Sequence, residues 1–260
     1  MRPLIFGVLN VTPDSFSDGG EHATVDAAIE HAHSLLAAGA DWIDVGGEST
    51  APGRAPVGTE EEQRRILPVI RALADEGVAV SVDTFRAATA AAAIEAGARL
   101  VNDVYGNDPL MDVLVARSGA RYLAMHSLGE PTTPAHYADV VNDVRTALLA
   151  RVDALLALGA REDQFVLDPG LGFSKAPHEN WELIARLDGI VATGYPVLVG
   201  ASRKRFIRGL VGDERRDGDT ATAAISMLAA ERGAWAVRVH DVTATRIALD
   251  VLEATRGERS

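Results

Sequence analysis

The chain has 260 residues, and its 37 acidic side chains outnumber 25 basic ones, for a formal charge of −12. This length suits one domain as well as two, because α/β barrels run to about 250 residues as a single unit, and one domain over 1–260 is the expectation. The absence of cysteine excludes disulfides, Cys-ligated zinc, iron–sulfur clusters and a thiolate nucleophile. A pI near 5.0 argues against a nucleic-acid partner. No stretch reaches the ~18 consecutive apolar residues of a membrane span. Met1-Arg2-Pro3 and the short apolar run ending at Asn10 lack the long apolar core of a signal peptide. A cytoplasmic location is therefore expected, with the Asn10-Val11-Thr12 sequon a chance match.

The run Leu4 to Leu9 opens the chain. After it a helical pattern meets a glycine seven times, and each glycine precedes a short apolar run. Gly39 precedes Trp42 to Val45, Gly77 precedes Ala79 to Val82, and Gly97 precedes Leu100 to Val101. Gly119 precedes Tyr122 to Met125, and Gly159 precedes Phe165 to Leu167. Gly194 and Gly233 precede Val197 to Val199 and Trp235 to Val239. A glycine just past a helix supplies the left-handed residue that ends it. Short Val/Ile/Leu runs without alternation suit parallel strands buried on both faces. The helices expected between them include one capped by Thr24 and running to Ala38, and one opened by a Thr59/Glu62 capping box before the Ile66/Leu67/Ile70/Leu73 stripe. Further helices are expected over 87–96, 138–158, 219–232 and 242–254. Eight strands with helices between them predict an α/β fold, a single (β/α)8 TIM barrel. A doubly wound open sheet is the alternative, but no run leads into a G-x-G-x-x-G turn.

Chemistry in such barrels gathers at the C-terminal strand ends. In order these carry Asn10, Asp44, Asp83, Asn102 with Asp103, His126, Asp168, Ser202 with Arg203 and Lys204, and Arg238 with His240. Helix capping explains part of this set, but not Lys204, Arg238 or His240. Two βα loops are long against the usual ~2–6 residues. The first runs from Asn10 to Gly20 with Phe16 and Asp18, and the second from Gly46 to Gly58 with Arg54. Ser202 is expected to cap a helix whose first turn holds Arg203, Lys204 and Arg205. Three cations there oppose the helix dipole by about 0.3–1 kcal/mol each, so an anionic ligand or a carboxylate such as Asp168 is expected to compensate, with solvation alone as the alternative. Segment 168–175, D-P-G-L-G-F-S-K, adds a carboxylate beside glycines that admit a close ligand. His22, His31, His33, His136 and His178 are expected to be exposed.

At these motifs the chain resembles the dihydropteroate synthase family, the folate-pathway enzymes that sulfonamides target. The resemblance spans Gly7 to Val242 and rests on seven words in order: N-V-T-P-D-S-F-S-D-G-G, I-D-V-G-G-E-S-T, S-V-D-T, N-D-V, D-P-G-L-G-F-S-K, S-R-K and R-V-H-D-V. It implies a transferase that condenses 7,8-dihydropterin-CH2-pyrophosphate with p-aminobenzoate, giving 7,8-dihydropteroate and pyrophosphate.

By the same resemblance Asp83, Asn102, Asp168 and Lys204 bind the pterin. Asn10, Thr50, Arg238 and His240 bind pyrophosphate, with Asn10 also contacting Mg²⁺. Phe16, Pro52, Phe173 and Lys204 form the p-aminobenzoate slot. Asp18, Lys204, Arg238 and His240 carry the catalytic roles, with Asp18 a counter-charge to a cationic pterin methylene. The family implies a homodimer packed through its last helices, where Ile247, Leu249, Val251 and Leu252 could supply an apolar contact or equally face the barrel. The chain departs from the family at Ala51, where many members have arginine, leaving Arg54 as the substitute, and at Arg205, where many have serine. Ala51 also keeps open a non-catalytic or altered-activity pterin-binding paralogue. A pterin-dependent methyltransferase domain would need neither S-R-K nor Phe16.

Overall fold

The computed structural model describes residues 2–12, 20–48, 57–106, 108–128 and 135–257. Strands and helices alternate: β1 (Leu4–Asn10), α1 (Gly20–Ala37), β2 (Trp42–Gly46), α2 (Thr59–Asp75), β3 (Val80–Asp83), α3 (Ala87–Glu95), β4 (Leu100–Asp103), α4 (Pro109–Ser118) and β5 (Arg121–Met125). They continue with α5 (Val140–Ala157), β6 (Phe165–Asp168), α6 (Pro177–Ala185), α7 (Asp188–Val191), β7 (Leu198–Val199), α8 (Arg205–Val211), α9 (Arg215–Glu231), β8 (Ala236–Val239) and α10 (Val242–Thr255). The sheet order is β6-β5-β4-β3-β2-β1-β8-β7. A parallel bridge between Leu167 and Val197 joins its two ends, so the pairing closes on itself as the expected (β/α)8 barrel requires. All seven helix-ending glycines have positive φ, from 73° to 109°, which bears out the rhythm read from the sequence.

The chain divides into two compact units. One comprises Gly7–Ala124 and Asp153–Phe165. Its helix α2 presents Ile66, Ile70 and Leu73, all fully buried, at the i, i+4, i+7 spacing that lines one helix face. Each such side chain contributes about 1.5–3 kcal/mol by leaving water. In the sheet, β3 pairs Ser81 with Asp44 and Asp83 with both Gly46 and Asn102. This register is what assembles the polar groups described below. Gln164 fastens the unit by donating to Val115 O (2.9 Å) and Ala120 O (2.8 Å).

The other unit comprises Met1–Phe6, Met125–Val152 and Val166–Ser260. Its core includes Leu167, Leu183, Ile190, Val237 and Leu249. Phe6 meets Trp235 edge-on, with ring centres 5.8 Å apart. On α10, Leu249 and Leu252 are buried while Ile247 and Val251 are exposed, so the four apolar residues divide between the two expected roles.

Three local expectations are corrected. The Thr59/Glu62 capping box is not formed: Gly58 precedes α2 without a side-chain cap. Glu62 is instead buried against Thr89 and Arg86. Helix α1 begins at Gly20, upstream of Thr24. Ser202 does not cap α8, which starts only at Arg205 behind Lys204. Arg203 takes φ 61° and with Lys204 precedes the helix, so only Arg205 of the three cations lies in its first turn. Helices α4, α7 and α8 are expected only through Gly119, Gly194 and the Ser202 cap, without bounds, and α6 is not among the expected segments.

Candidate active site

In the unit built on Gly7–Ala124, Asn10 ends β1 half-buried. A Cβ on Gly46 would stand 3.6 Å from its Oδ1 and 3.4 Å from Asp83 Cβ, so glycine here lets the strand ends draw close. Asp44 sits one turn of the pleat deeper, almost fully buried. It accepts from Ser81 Oγ (2.5 Å) and from Asn102 Nδ2 (3.2 Å). Asn102 is thereby oriented, with its amide nitrogen engaged and its Oδ1 left as an acceptor. Asp83, its partner in register, stands half-buried at the end of β3.

Asp103 has a structural task. Its carboxylate accepts from the backbone N–H groups of Tyr105 and Gly106 and from Tyr122 Oη, closing the turn after β4. Arg86, absent from the sequence-derived set, binds Glu48 (2.6 Å), Glu62 (3.1 Å) and Val57 O (2.6 Å). It thus ties residues on either side of 49–56.

In the other unit, Asp168 ends β6 and is buried. Burial pushes its carboxyl upward, opposed by the Gly170 N–H bond (2.7 Å) and by the positive charges of Lys204, Lys175 and Arg238. A Cβ on Gly200 would lie 3.7 Å from Asp168 Oδ2 and 3.9 Å from Arg238 Cβ, so these groups converge on one strand end. Lys204 holds its ammonium 3.7 Å from the centre of the Phe173 ring, a cation–π contact. Gly172, at φ 80°, passes beneath the Lys204 stem.

His240 Nδ1 shares a hydrogen bond with Ser202 Oγ (2.9 Å), and that oxygen also accepts from the His240 N–H (3.2 Å). Burial lowers the imidazole to about 3, helped by the cations of Arg203, Arg238, Lys204 and Arg215. His240 is therefore neutral near pH 7 and acts as a hydrogen-bonding group among fixed positive charges. Such a place suits an anion with several oxygens.

Of the residues named from the sequence, Asn10, Asp83 and Asn102 gather in one unit, and Asp168, Phe173, Lys204, Arg238 and His240 in the other. Phe16, Asp18, Thr50, Ala51, Pro52 and Arg54 lie outside the described residues. His31, His33, His136 and His178 are exposed as expected. His126 is buried, with Nδ1 on Lys175 Nζ at 3.1 Å. Lys175 is absent from the sequence-derived set, because one lysine after a glycine-rich run gives no sign of burial. No cluster of three His, Cys, Asp or Glu with metal-binding geometry occurs among the described residues. None of their helices is long and apolar enough to cross a membrane.

The family model for the pterin binding enzyme matches residues 6–240. The chain is 49% identical over 262 residues to the dihydropteroate synthase of Mycobacterium leprae, covering 96% of this chain and 92% of that one. Among solved structures it superposes on the Xanthomonas albilineans dihydropteroate synthase with 4-aminobenzoic acid at a TM-score of 0.92 and 43% identity, over 98% of this chain and 93% of that one. A structure of dihydropteroate synthase from the same organism in complex with 7,8-dihydropteroate gives a TM-score of 0.89 at 41% identity, over 98% and 94%. A match of this length and identity leaves one assignment: the chain belongs to the dihydropteroate synthase family of pterin binding enzymes.

Proposed function

We infer that the chain catalyses the condensation of 7,8-dihydropterin-CH2-pyrophosphate with p-aminobenzoate, yielding 7,8-dihydropteroate and pyrophosphate, a transferase step of folate biosynthesis. The observation that carries this is the near-complete superposition on a synthase holding the reaction product. The residue roles follow as part of the same proposal. Asp83, Asn102, Asp168 and Lys204 recognise the pterin, whose aminopyrimidinone edge alternates donors and acceptors that two carboxylates, an amide and an ammonium can match. Polar groups held this way reject analogues that leave them unpaired. The engaged amide of Asn102 and the buried carboxylate of Asp168 support that reading.

Arg238 and neutral His240, with Asn10 and Thr50, hold the pyrophosphate. The methylene C–O bond breaks with both electrons leaving on pyrophosphate. Cations fixed where that charge develops lower the barrier. The arylamine nitrogen then forms the C–N bond and sheds a proton. Phe173 and Lys204, with Phe16 and Pro52, form its slot, and Asp18 balances the charge on the methylene. Exclusion of water protects that electrophilic carbon from hydrolysis.

Mg²⁺ belongs to the proposal through Asn10. One amide oxygen leaves most coordination positions to water and phosphate oxygens, as this ion prefers. When bound, the ion neutralises charge on the leaving group. We also assign a cytoplasmic location, a single pterin-binding domain over 1–260, and a homodimer in which Ile247 and Val251, 60% and 55% exposed, meet their counterparts. Ile247→Lys is expected to give a monomer by analytical ultracentrifugation. The decisive assay is pyrophosphate release with both substrates, with each alone, and with and without Mg²⁺. Release that does not require the arylamine overturns the reading. Ala51→Arg in the same assay reports what the family arginine adds.

A further inference from the structure

Lys175 is 7% exposed, and no carboxylate among the described residues lies within ion-pair distance of it. Its Nζ lies 3.0 Å from Gly170 O, 3.0 Å from Phe173 O, 3.1 Å from His126 Nδ1 and 3.3 Å from His126 O. Four acceptors thus surround three N–H donors. Two carbonyls come from the turn after β6, and the others belong to the residue that follows β5. The turn and that residue touch directly, since a Cβ on Gly170 (φ 66°) would stand 1.9 Å from His126 O.

Burying an ammonium is unfavourable unless donors and acceptors compensate, and here backbone oxygens do so. Burial lowers this lysine to about 7, with Asp168 and Glu179 opposing the shift and Lys204 adding to it. The two ends of the caged turn are Asp168, whose Oδ1 accepts from Gly170 N–H, and Phe173, whose ring carries the Lys204 ammonium.

We propose that Lys175 is a positioning residue for both substrates: by gathering Gly170 O, Phe173 O and His126 around one ammonium, it holds Asp168 and Phe173 in a single rigid turn, so that the pterin-binding carboxylate and the arylamine-binding ring keep a fixed separation. This rests on the roles assigned above to those two residues. Arginine cannot replace it, because a flat guanidinium does not fit a round cage around one nitrogen.

The chain contains no cysteine, so Lys175→Cys can be alkylated at one position only. Treatment of the unfolded variant with 2-bromoethylamine forms the S–C bond with loss of bromide and, after refolding, restores an ammonium at the length of lysine. Alkylation with 1-bromopropane gives the uncharged isostere. Wild-type turnover with both substrates is measured first, and its absence sinks the proposed function rather than this inference. The aminoethyl form is expected to keep the KM for both substrates within about threefold of wild type. The propyl form should raise both by about tenfold or more at a full titre of folded sites, as misplacement of substrate-positioning groups does.

Equal KM values in the two forms overturn the proposal. So does a loss confined to the folded fraction and Tm, which would leave Lys175 a purely structural residue. If neither form folds, His126→Ala, which removes one acceptor and leaves the lysine, is expected to raise both KM values together. Unchanged values there refute positioning.

Discussion

The Lys204 ammonium lies 3.7 Å above the centre of the Phe173 ring, joining a residue assigned to the pterin with one assigned to the arylamine. A cation–π contact contributes about 0.5–2 kcal/mol. Phe173→Leu is therefore expected to raise the KM for p-aminobenzoate by about 2- to 30-fold, with a smaller effect on the pterin. Steady-state kinetics in both substrates checks this. Gly172→Ala would place a Cβ 2.9 Å from Lys204 Cδ, a flexible stem that can yield, so this variant should fold and bind pterin weakly. Gly170→Ala meets the His126 backbone and should fail to fold, as thermal denaturation would report.

Asp44 holds the hydroxyl of Ser81 and the amide of Asn102 in a buried site. Asp44→Ala strands both donors at about 1–3 kcal/mol each. Denaturant titration should show that loss, and calorimetry should show weaker pterin binding, because Asn102 loses the bond that orients it. Asp44→Asn, which still offers one acceptor oxygen, should lose less of both.

Arg86 is the main partner of Glu62, whose side chain is 1% exposed. Arg86→Ala leaves that carboxylate buried with Thr89 Oγ1 as its remaining side-chain donor among the described residues. Loss of one member of a buried pair costs about 3–5 kcal/mol. Adding Glu62→Gln to Arg86→Ala should recover part of the stability, since no charge then remains in the site. A double variant no more stable than Arg86→Ala alone would contradict this account.

Burial lowers both His126 and His240 to about 3, with Lys175 adding to the first and Arg203 to the second. Unfolded histidine takes up its proton near 6.5, so between about 6.5 and 3 the unfolded chain binds more protons. Stability is fully present above 6.5 and falls as pH drops through that window. His126→Gln, which keeps an acceptor for Lys175, should shrink the fall in Tm between pH 7 and pH 5. An unaltered acid limb would rule out His126 as a contributor.

The sequence by itself determined the α/β alternation, the strand-end polar residues and the family. Each is a local matter: glycines that stop helices, apolar runs buried on both faces, and motifs compact enough to read as words. Tertiary structure decided which of those polar groups act on one another. Asp44 became the anchor of Asn102 only because β2, β3 and β4 pair in one register. Glu62 left its expected cap for Arg86, 24 residues away, and Ser202 left its own for His240, 38 residues away. Lys175 shows the same division most sharply. Its acceptors are mostly backbone oxygens, which every residue possesses, so no side-chain pattern can announce the cage before the chain has folded around it.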